Sequence, residues 1–128
     1  MLFLVKVEIE KLPQIPTRSF FELLIKEWEY YERMKKRGKV LAGGKLAGRR
    51  GAAAIFDADS IEEIEAIVTK LPLFPFFTKI EITPLVPQEK ALLDAKRMYH
   101  LVKDTNLMLF PTGNEPREKE GNSESSSQ

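Results

Sequence analysis

Glu27 is the residue whose position packing alone does not explain. Residues 18–37 read as a helix. At 100° per residue, with Phe20 at zero, Leu23, Leu24, Trp28, Tyr31 and Met34 form an apolar stripe centred at about 20°. Glu27 falls at about 340°, inside that stripe, whereas Glu22, Lys26, Glu29, Glu32, Arg33 and Lys36 fall on the opposite half. A lone carboxylate among apolar side chains is costly. Burial raises its pKa toward the range in which it can take and return a proton near neutral pH, which is general acid–base chemistry. Two plainer readings stand beside this one. Glu27 could be ion-paired with Lys6, Lys45 or an arginine, or the helix could be rotated so that Glu27 only borders the core.

A second group of residues is basic. From Arg33 to Phe56 the chain carries Arg33, Lys35, Lys36, Arg37, Lys39, Lys45, Arg49 and Arg50 and no acidic residue. Arg33, Lys36 and Arg37 fall on the solvent side of the helix and read as a solvated face. Lys45, Arg49 and Arg50 sit on a strand and its turn. Arginine suits bidentate carboxylate binding and lysine supplies a point charge, so these three are candidates for holding an anion at the mouth of a cavity. Tyr30 and Tyr31 read as packing residues, although either hydroxyl could face that cavity.

Several motifs do not hold. Gly43-Gly44 with Gly48 is not a phosphate-binding loop, because no Gly-Lys-Ser/Thr follows. It is not a dinucleotide fingerprint, because a strand follows where a helix should begin. The single histidine, His100, reads as a surface or packing residue. Phe74, Phe76 and Phe77 read as core or interface rather than a base-stacking platform.

The elements that must position these residues follow in order. Residues 2–10 read as a strand with Phe3, Val5, Val7 and Ile9 on one face. The helix over 18–37 has Thr17 or Ser19 as its cap, with Ser19 and Glu22 as a capping box, and stops at Gly38. Strands at 39–47 and 51–57 flank a turn at Gly48-Arg49-Arg50-Gly51. Gly43-Gly44 suggests a bulge or a close backbone approach. Ser60 and Glu63 open a second helix over 61–70, with Ile61, Ile64, Ile67 and Val68 as its buried stripe. Residues 77–83 read as a final strand. The order strand, helix, strand, strand, helix, strand is the ferredoxin-like split βαβ arrangement, an α+β fold with two helices on one face of an antiparallel sheet. The other face, with Leu2 and Leu4 beside Lys6 and Glu8, calls for cover by a second subunit and hence a dimeric α+β barrel enclosing a small cavity.

Beyond residue 87 the pattern changes. Residues 88–103 read as an extra amphipathic helix with Leu92, Ala95, Tyr99 and Val102 in register, followed by an apolar patch at 107–110. From Pro111 a polar tail reads as disordered. The division is thus 1–87, 88–110 and 111–128.

With 128 residues, 43% hydrophobic and 30% charged, the chain suits one globular domain with a real core. The absence of cysteine excludes a disulfide framework, a thiol nucleophile and Cys-ligated metal. One histidine excludes a His-rich metal site. The net charge of +1 is no nucleic-acid-binding signature, and that partner ranks last. No segment approaches the roughly 20 apolar residues of a membrane span, and the opening residues lack a signal-peptide pattern, so the expected location is the cytoplasm.

The residues also resemble a known family. Met1-Leu2-Phe3-Leu4-Val5-Lys6-Val7, the stretch around Glu27, Glu29, Arg33 and Gly38, Leu46-Ala47-Gly48, Ile55-Phe56-Asp57 and above all Leu71-Pro72-Leu73-Phe74-Pro75 followed by Ile80-Glu81-Ile82 are similar to muconolactone delta-isomerase over residues 1–87. The resemblance implies a cofactor-free, metal-free isomerase of aromatic-compound catabolism acting on a small carboxylated lactone. It also implies paired-sheet dimers that assemble into a decamer. Glu27 matches a family glutamate, Lys6 matches a family lysine, and Lys45 takes the place of a family arginine. This chain departs where Leu4 and Arg49 replace family histidines. It departs again where Val40, Ala42 and Gly43 replace an aromatic- and histidine-rich strand, and where Ala52 and Ala53 replace polar or tyrosine positions. The pocket is therefore expected to be larger, less aromatic and more basic. For the segment 88–110 three roles are open: a lid, an oligomer contact or a cap on the sheet edge.

The first expectation is an enzyme that shifts a proton in an unsaturated lactone or related carboxylated compound. Glu27 is its proton shuttle, and Lys6, Lys45, Arg49, Arg50 and Tyr31 bind substrate. The competing readings on the same scaffold are a non-catalytic oligomeric small-acid-binding protein and a cofactor-free oxygenase or cyclase.

Overall fold

The computed structural model describes residues 1–109. The polar tail at 111–128 and Phe110 of the apolar patch lie outside the described residues. Contacts divide the chain into two units, one of residues Met1–Pro87 and one from Gln88 onward.

The first unit runs β1 (Leu2–Glu8), α1 (Thr17–Lys36), β2 (Val40–Lys45), β3 (Gly51–Asp57), α2 (Ile61–Thr69), a 3-10 turn (Phe74–Phe76) and β4 (Lys79–Leu85). The sheet order is β2-β3-β1-β4. Every neighbouring pair is antiparallel, which leaves β1 parallel to β2 and β3 parallel to β4, with one strand interposed each time. These are the two interleaved split βαβ units of a ferredoxin-like α+β fold.

Alternation in β1 drives the layering. Phe3, Val5 and Val7 are buried and join Ala52, Ala54 and Phe56 of β3, Tyr31 and Met34 of α1, and Ile64, Ile67 and Val68 of α2 in one core. Both helices therefore pack on the same face. The opposite face carries Leu2, Leu4, Lys6 and Glu8 of β1 beside Leu85, Thr83, Glu81 and Lys79 of β4. It is apolar at one end and charged at the other. Pro84, which has no N–H to give a ladder, is accommodated because β4 is an edge strand.

The helix ends follow local chemistry, with corrections to the sequence reading. Helix α1 starts at Thr17 behind Pro16 and has no side-chain cap. Ser19 lies within the helix, where it cannot cap, and Glu22 instead meets Arg18 one turn earlier, at 3.4 Å. At the other end Gly38 adopts φ +76°. Its N–H donates to the Lys35 carbonyl and the Lys39 N–H to that of Met34, the left-handed stop that glycine allows. Ser60 does cap α2, accepting from the Glu63 N–H at 3.1 Å. The Glu63 carboxylate reaches back to the Asp59 N–H at 2.7 Å. Ile61 is not part of the buried stripe; it stands exposed in the first turn.

The glycine pair in β2 is informative. The ladder irregularity falls between Val40 and Ala42, just before the glycines rather than at them. The close approach is at Gly43, where a Cβ would sit 2.9 Å from Ala54 Cβ and 3.0 Å from the Ala53 carbonyl oxygen. At Gly44 a Cβ would meet nothing within 4 Å.

The second unit contains α3 (Gln88–Val102), none of whose side chains is buried, including the expected stripe Leu92, Ala95, Tyr99 and Val102. Among the described residues no helix is long and apolar enough to cross a membrane.

The two adjacent glycines yield a paired prediction. Gly43→Ala should lower stability in urea unfolding by about 1–3 kcal/mol through overpacking. Gly44→Ala should stay within about 0.5 kcal/mol of the parent. Equal effects at the two sites would contradict the close approach at Gly43.

Candidate active site

Helix α1 delivers Glu27 to the core. The side chain is 3% exposed, so the helix is not rotated away. Among the described residues no cation lies within ion-pair distance of it. Its partner is the main chain: the Leu73 N–H donates to Glu27 Oε1 at 2.9 Å. Leu73 sits in the Leu71-Pro72-Leu73-Phe74-Pro75 segment between α2 and β4 and is itself buried. Burial pushes the Glu27 carboxyl up to about 7, against the opposing pull of the Leu73 hydrogen bond.

Glu27 lines a cavity of about 110 Å³ between α1 and the sheet. Phe20, Leu24 and Trp28 form its helix wall, Val7, Ile9 and Ala52 its floor, and Leu73 and Phe77 its far side. This cavity lies within one chain, between helix and sheet. Lys45 and Arg50 also line it and are themselves exposed. The Lys45 ammonium donates to the carbonyls of Leu46 at 3.0 Å and Arg49 at 2.7 Å. The Arg50 guanidinium donates to the carbonyls of Ile9 at 3.0 Å and Glu10 at 2.7 Å. Neither is paired with a carboxylate among the described residues. Carbonyl partners orient a cation without cancelling its charge, and each side chain retains a free donor.

Lys6 and Arg49 are placed elsewhere. They lie with Glu8, Lys79 and Glu81 at a polar hollow of about 130 Å³. Lys6 meets Glu81 at 3.8 Å. Arg49 grips Glu8 bidentately, Nε to Oε2 at 2.9 Å and Nη2 to Oε1 at 2.7 Å. The Arg49 hydrogen bond holds the Glu8 carboxyl below its usual range. Tyr31 packs against Trp28 and Phe56, and burial, then the nearby Glu27 carboxylate, push its hydroxyl well above its usual range. It does not line the Glu27 cavity. The structure therefore brings Glu27, Lys45 and Arg50 together and leaves Lys6, Arg49 and Tyr31 outside that group.

The sequence reading missed the Leu73 N–H and the Trp28 wall. Phe20, Leu24 and Trp28 share the helical stripe with Glu27, which was signal enough for the wall. A backbone donor leaves no trace in side-chain types. Among the described residues no cluster of three or more His, Cys, Asp or Glu side chains could hold a metal ion.

Fold and site together define an α+β domain of ferredoxin-like topology that sinks a carboxylate without a cationic partner among the described residues into an apolar cavity. Residues 1–90 match the family model of muconolactone delta-isomerase, and the chain belongs to that family. It is 33% identical to muconolactone delta-isomerase 1 of Acinetobacter lwoffii over 73% of this chain and 97% of that one. It is 27% identical to muconolactone delta-isomerase of Cupriavidus pinatubonensis over 72% and 99%. A crystal structure of muconolactone isomerase superposes with a TM-score of 0.62 at 27% identity, covering 69% of this chain and 91% of that one. The fold is shared with 5-chloro-2-hydroxyhydroquinone dehydrochlorinase of Burkholderia phenoliruptrix AC1100, with a TM-score of 0.56 at 19% identity, over 70% and 98%.

The raised Glu27 pKa has a stability consequence whose sign is fixed. Between pH 4.5 and about 7 the folded chain holds a proton that the unfolded chain has lost. Stability from this group is therefore present in full below 4.5 and is lost as pH rises through about 7. The loss is of order 3 kcal/mol. Glu27→Gln keeps the acceptor for the Leu73 N–H and removes the titration. The stability difference between variant and parent should grow in the variant's favour across this window in urea titrations at several pH values. A difference independent of pH would show that Glu27 is not desolvated.

Proposed function

We propose that the chain is a cofactor-free isomerase that moves a proton across a small unsaturated lactone bearing a carboxylate. The observation that carries this reading is Glu27, a carboxyl near neutral pKa in an apolar cavity lined also by two cations, Lys45 and Arg50, that no acid neutralises among the described residues. The names of the relatives, muconolactone delta-isomerases, supply the substrate class.

The chemistry is balanced within the substrate. Glu27, ionised, removes a proton from the saturated γ-carbon, next to the C=C bond that is conjugated with the lactone carbonyl. The electron pair flows onto the carbonyl oxygen as a dienolate. Glu27, now neutral, returns the proton to the carbon beside the carbonyl, and the double bond has moved by one position. No oxidant and no second substrate enters. The apolar walls keep water from the dienolate, and the Lys45 and Arg50 charges favour both the substrate carboxylate and the developing oxyanion. Lys6 and Arg49, each held by a glutamate, act instead as ion pairs across the strands.

We also place the enzyme in the cytoplasm as a homo-oligomer built on sheet pairing. The support is the apolar end of the sheet face opposite the helices, where Leu2, Leu4, Ile55 and Leu85 are half-buried in a single chain. Such a face gains by meeting its copy.

The deciding experiment is incubation with muconolactone in deuterated water, followed by proton NMR. Wild type should isomerise the lactone with deuterium uptake, and kcat/KM should rise with pH through about 7 as Glu27 ionises. Glu27→Gln should lower kcat by roughly 10²–10⁴-fold. Lys45→Met and Arg50→Gln should raise KM by roughly tenfold, the scale of one charge-assisted contact. Arg49→Gln should change KM less than either. Turnover surviving in Glu27→Gln would remove the proposed base.

A further inference from the structure

We infer that α3 is a self-association element: it pairs antiparallel with α3 of a second copy of this chain, along the stripe that runs from Ala91 to Val102. This contact uses the second unit alone and is separate from both the Glu27 site and the sheet pairing.

The family match ends at residue 90, so α3 lies almost wholly beyond it. A helix of 15 residues is marginal in water unless packing supports it. None of its side chains is buried, and Leu92, Met98 and Tyr99 are each more than half exposed. An apolar face of that kind calls for a partner.

The shape of the face selects a helix as that partner. At 100° per residue, with Leu92 at zero, Met98, Ala91, Val102, Ala95, Tyr99 and Leu92 fall in an arc about 120° wide that also takes in Gln88. Ala91, Ala95 and Val102 run down its middle, and Met98, Tyr99 and Leu92 stand toward its edges. Small residues in the middle let a second helix come close. A lipid surface asks instead for bulky apolar residues at the centre and a strongly basic polar face. Here Glu89, Asp94 and Asp104 offset Lys90, Lys96, Arg97 and Lys103.

The charges then select a second copy of α3. Arg97 is held within the helix by Asp94 at 2.9 Å. Glu89, Lys96 and Lys103 have no ion-pair partner among the described residues. All three lie along one edge of the arc, at about 60°, 40° and 20°. In an antiparallel pair related by a two-fold axis, that edge faces the same edge of the other copy. Glu89 then meets the partner's Lys103, twice over by symmetry, and Lys96 falls near the axis. Two attractive pairs outweigh one repulsive contact. Residue 96 is midway between Glu89 and Lys103, and the middle of the stripe from Ala91 to Val102 lies between 96 and 97. Charge pairing and apolar pairing therefore share one register. A parallel pair would set the charged edge against the edge of Ala91 and Met98 and would align the two helix dipoles unfavourably.

The chain has no cysteine, so a single introduced thiol reports its own neighbour. Two full-length variants with distinguishable tags, Leu92→Cys and Val102→Cys, are expressed together and alone and treated with a short bismaleimide. Both positions are exposed, so the fold of the first unit does not depend on them. Antiparallel pairing puts position 92 beside position 102 of the other copy and holds like positions about 15 Å apart along the axis. The co-expressed chains should give mixed cross-links in roughly fivefold higher yield than either variant gives with itself. Glu89→Lys in both chains should lower that yield roughly threefold at low salt, and adding Lys103→Glu should restore it. No excess of mixed over like cross-links, or an excess of like ones, would overturn the antiparallel α3 pair. So would a doubly reversed chain that cross-links no better than Glu89→Lys alone. Sedimentation of the untreated chain separates this contact from sheet pairing. An oligomer that persists without the mixed cross-links overturns the α3 pair and leaves the sheet pairing standing.

Discussion

The hydrogen bond from the Leu73 N–H to Glu27 Oε1 at 2.9 Å is the interaction on which the site depends. It joins the middle of α1 to the segment between α2 and β4, so both halves of the split βαβ fold meet at one carboxyl. Pro72 and Pro75 have no N–H, and the N–H groups of Phe74, Phe76 and Phe77 are taken up by carbonyls within the turn. Leu73, buried between them, is left with a donor that must be satisfied. Glu27 satisfies it at a cost that depends on its charge. One backbone donor is too little to hold an ionised carboxylate comfortably in an apolar cavity, and the near-neutral pKa follows from that shortfall. The contact that closes the fold thus also leaves its carboxyl poised between base and acid.

The cations around the sheet divide by the kind of acceptor that holds them. Arg49 and Lys6 are held by carboxylates, and their charge is spent there. Lys45 and Arg50 are held by carbonyl dipoles at the hairpin and at the end of β1. Both modes fix a side chain in place, but only the second leaves a net positive field. That field lies at the cavity containing Glu27. A net charge of +1 for the whole chain conceals this, because acids and bases cancel in the sum and not in space.

The topology and the burial of Glu27 were legible because both rest on periodicity. Phe3, Val5 and Val7 alternate as a strand must, and Glu27 shares a helical stripe with Phe20, Leu24, Trp28 and Tyr31. The partners of the charged groups were not legible. Lys45, Arg49 and Arg50 are close in sequence and all basic. A turn sends neighbouring side chains to different faces, so Arg49 reaches Glu8 while Arg50 reaches the Ile9 carbonyl. Residue type says what a side chain can bind; only the register of the hairpin says which group is within reach. The start of α1 failed for a related reason. Ser19 and Glu22 have the spacing of a capping box, but the helix had already begun at Thr17, and a cap works only at the boundary.

The hairpin of β2 and β3 shows a local weakness serving the site. Gly43, Gly44 and the alanines at 52–54 are poor strand formers, and a β2 edge built from them has little side-chain packing of its own. The strand is retained because β3 pairs on its other side with β1, whose Phe3, Val5 and Val7 are anchored in the core. Stability is concentrated in the central strand, and the edge is free to be small. Small residues there leave room between α1 and the sheet, while the helix that carries Glu27 stays locked by Tyr31 and Met34.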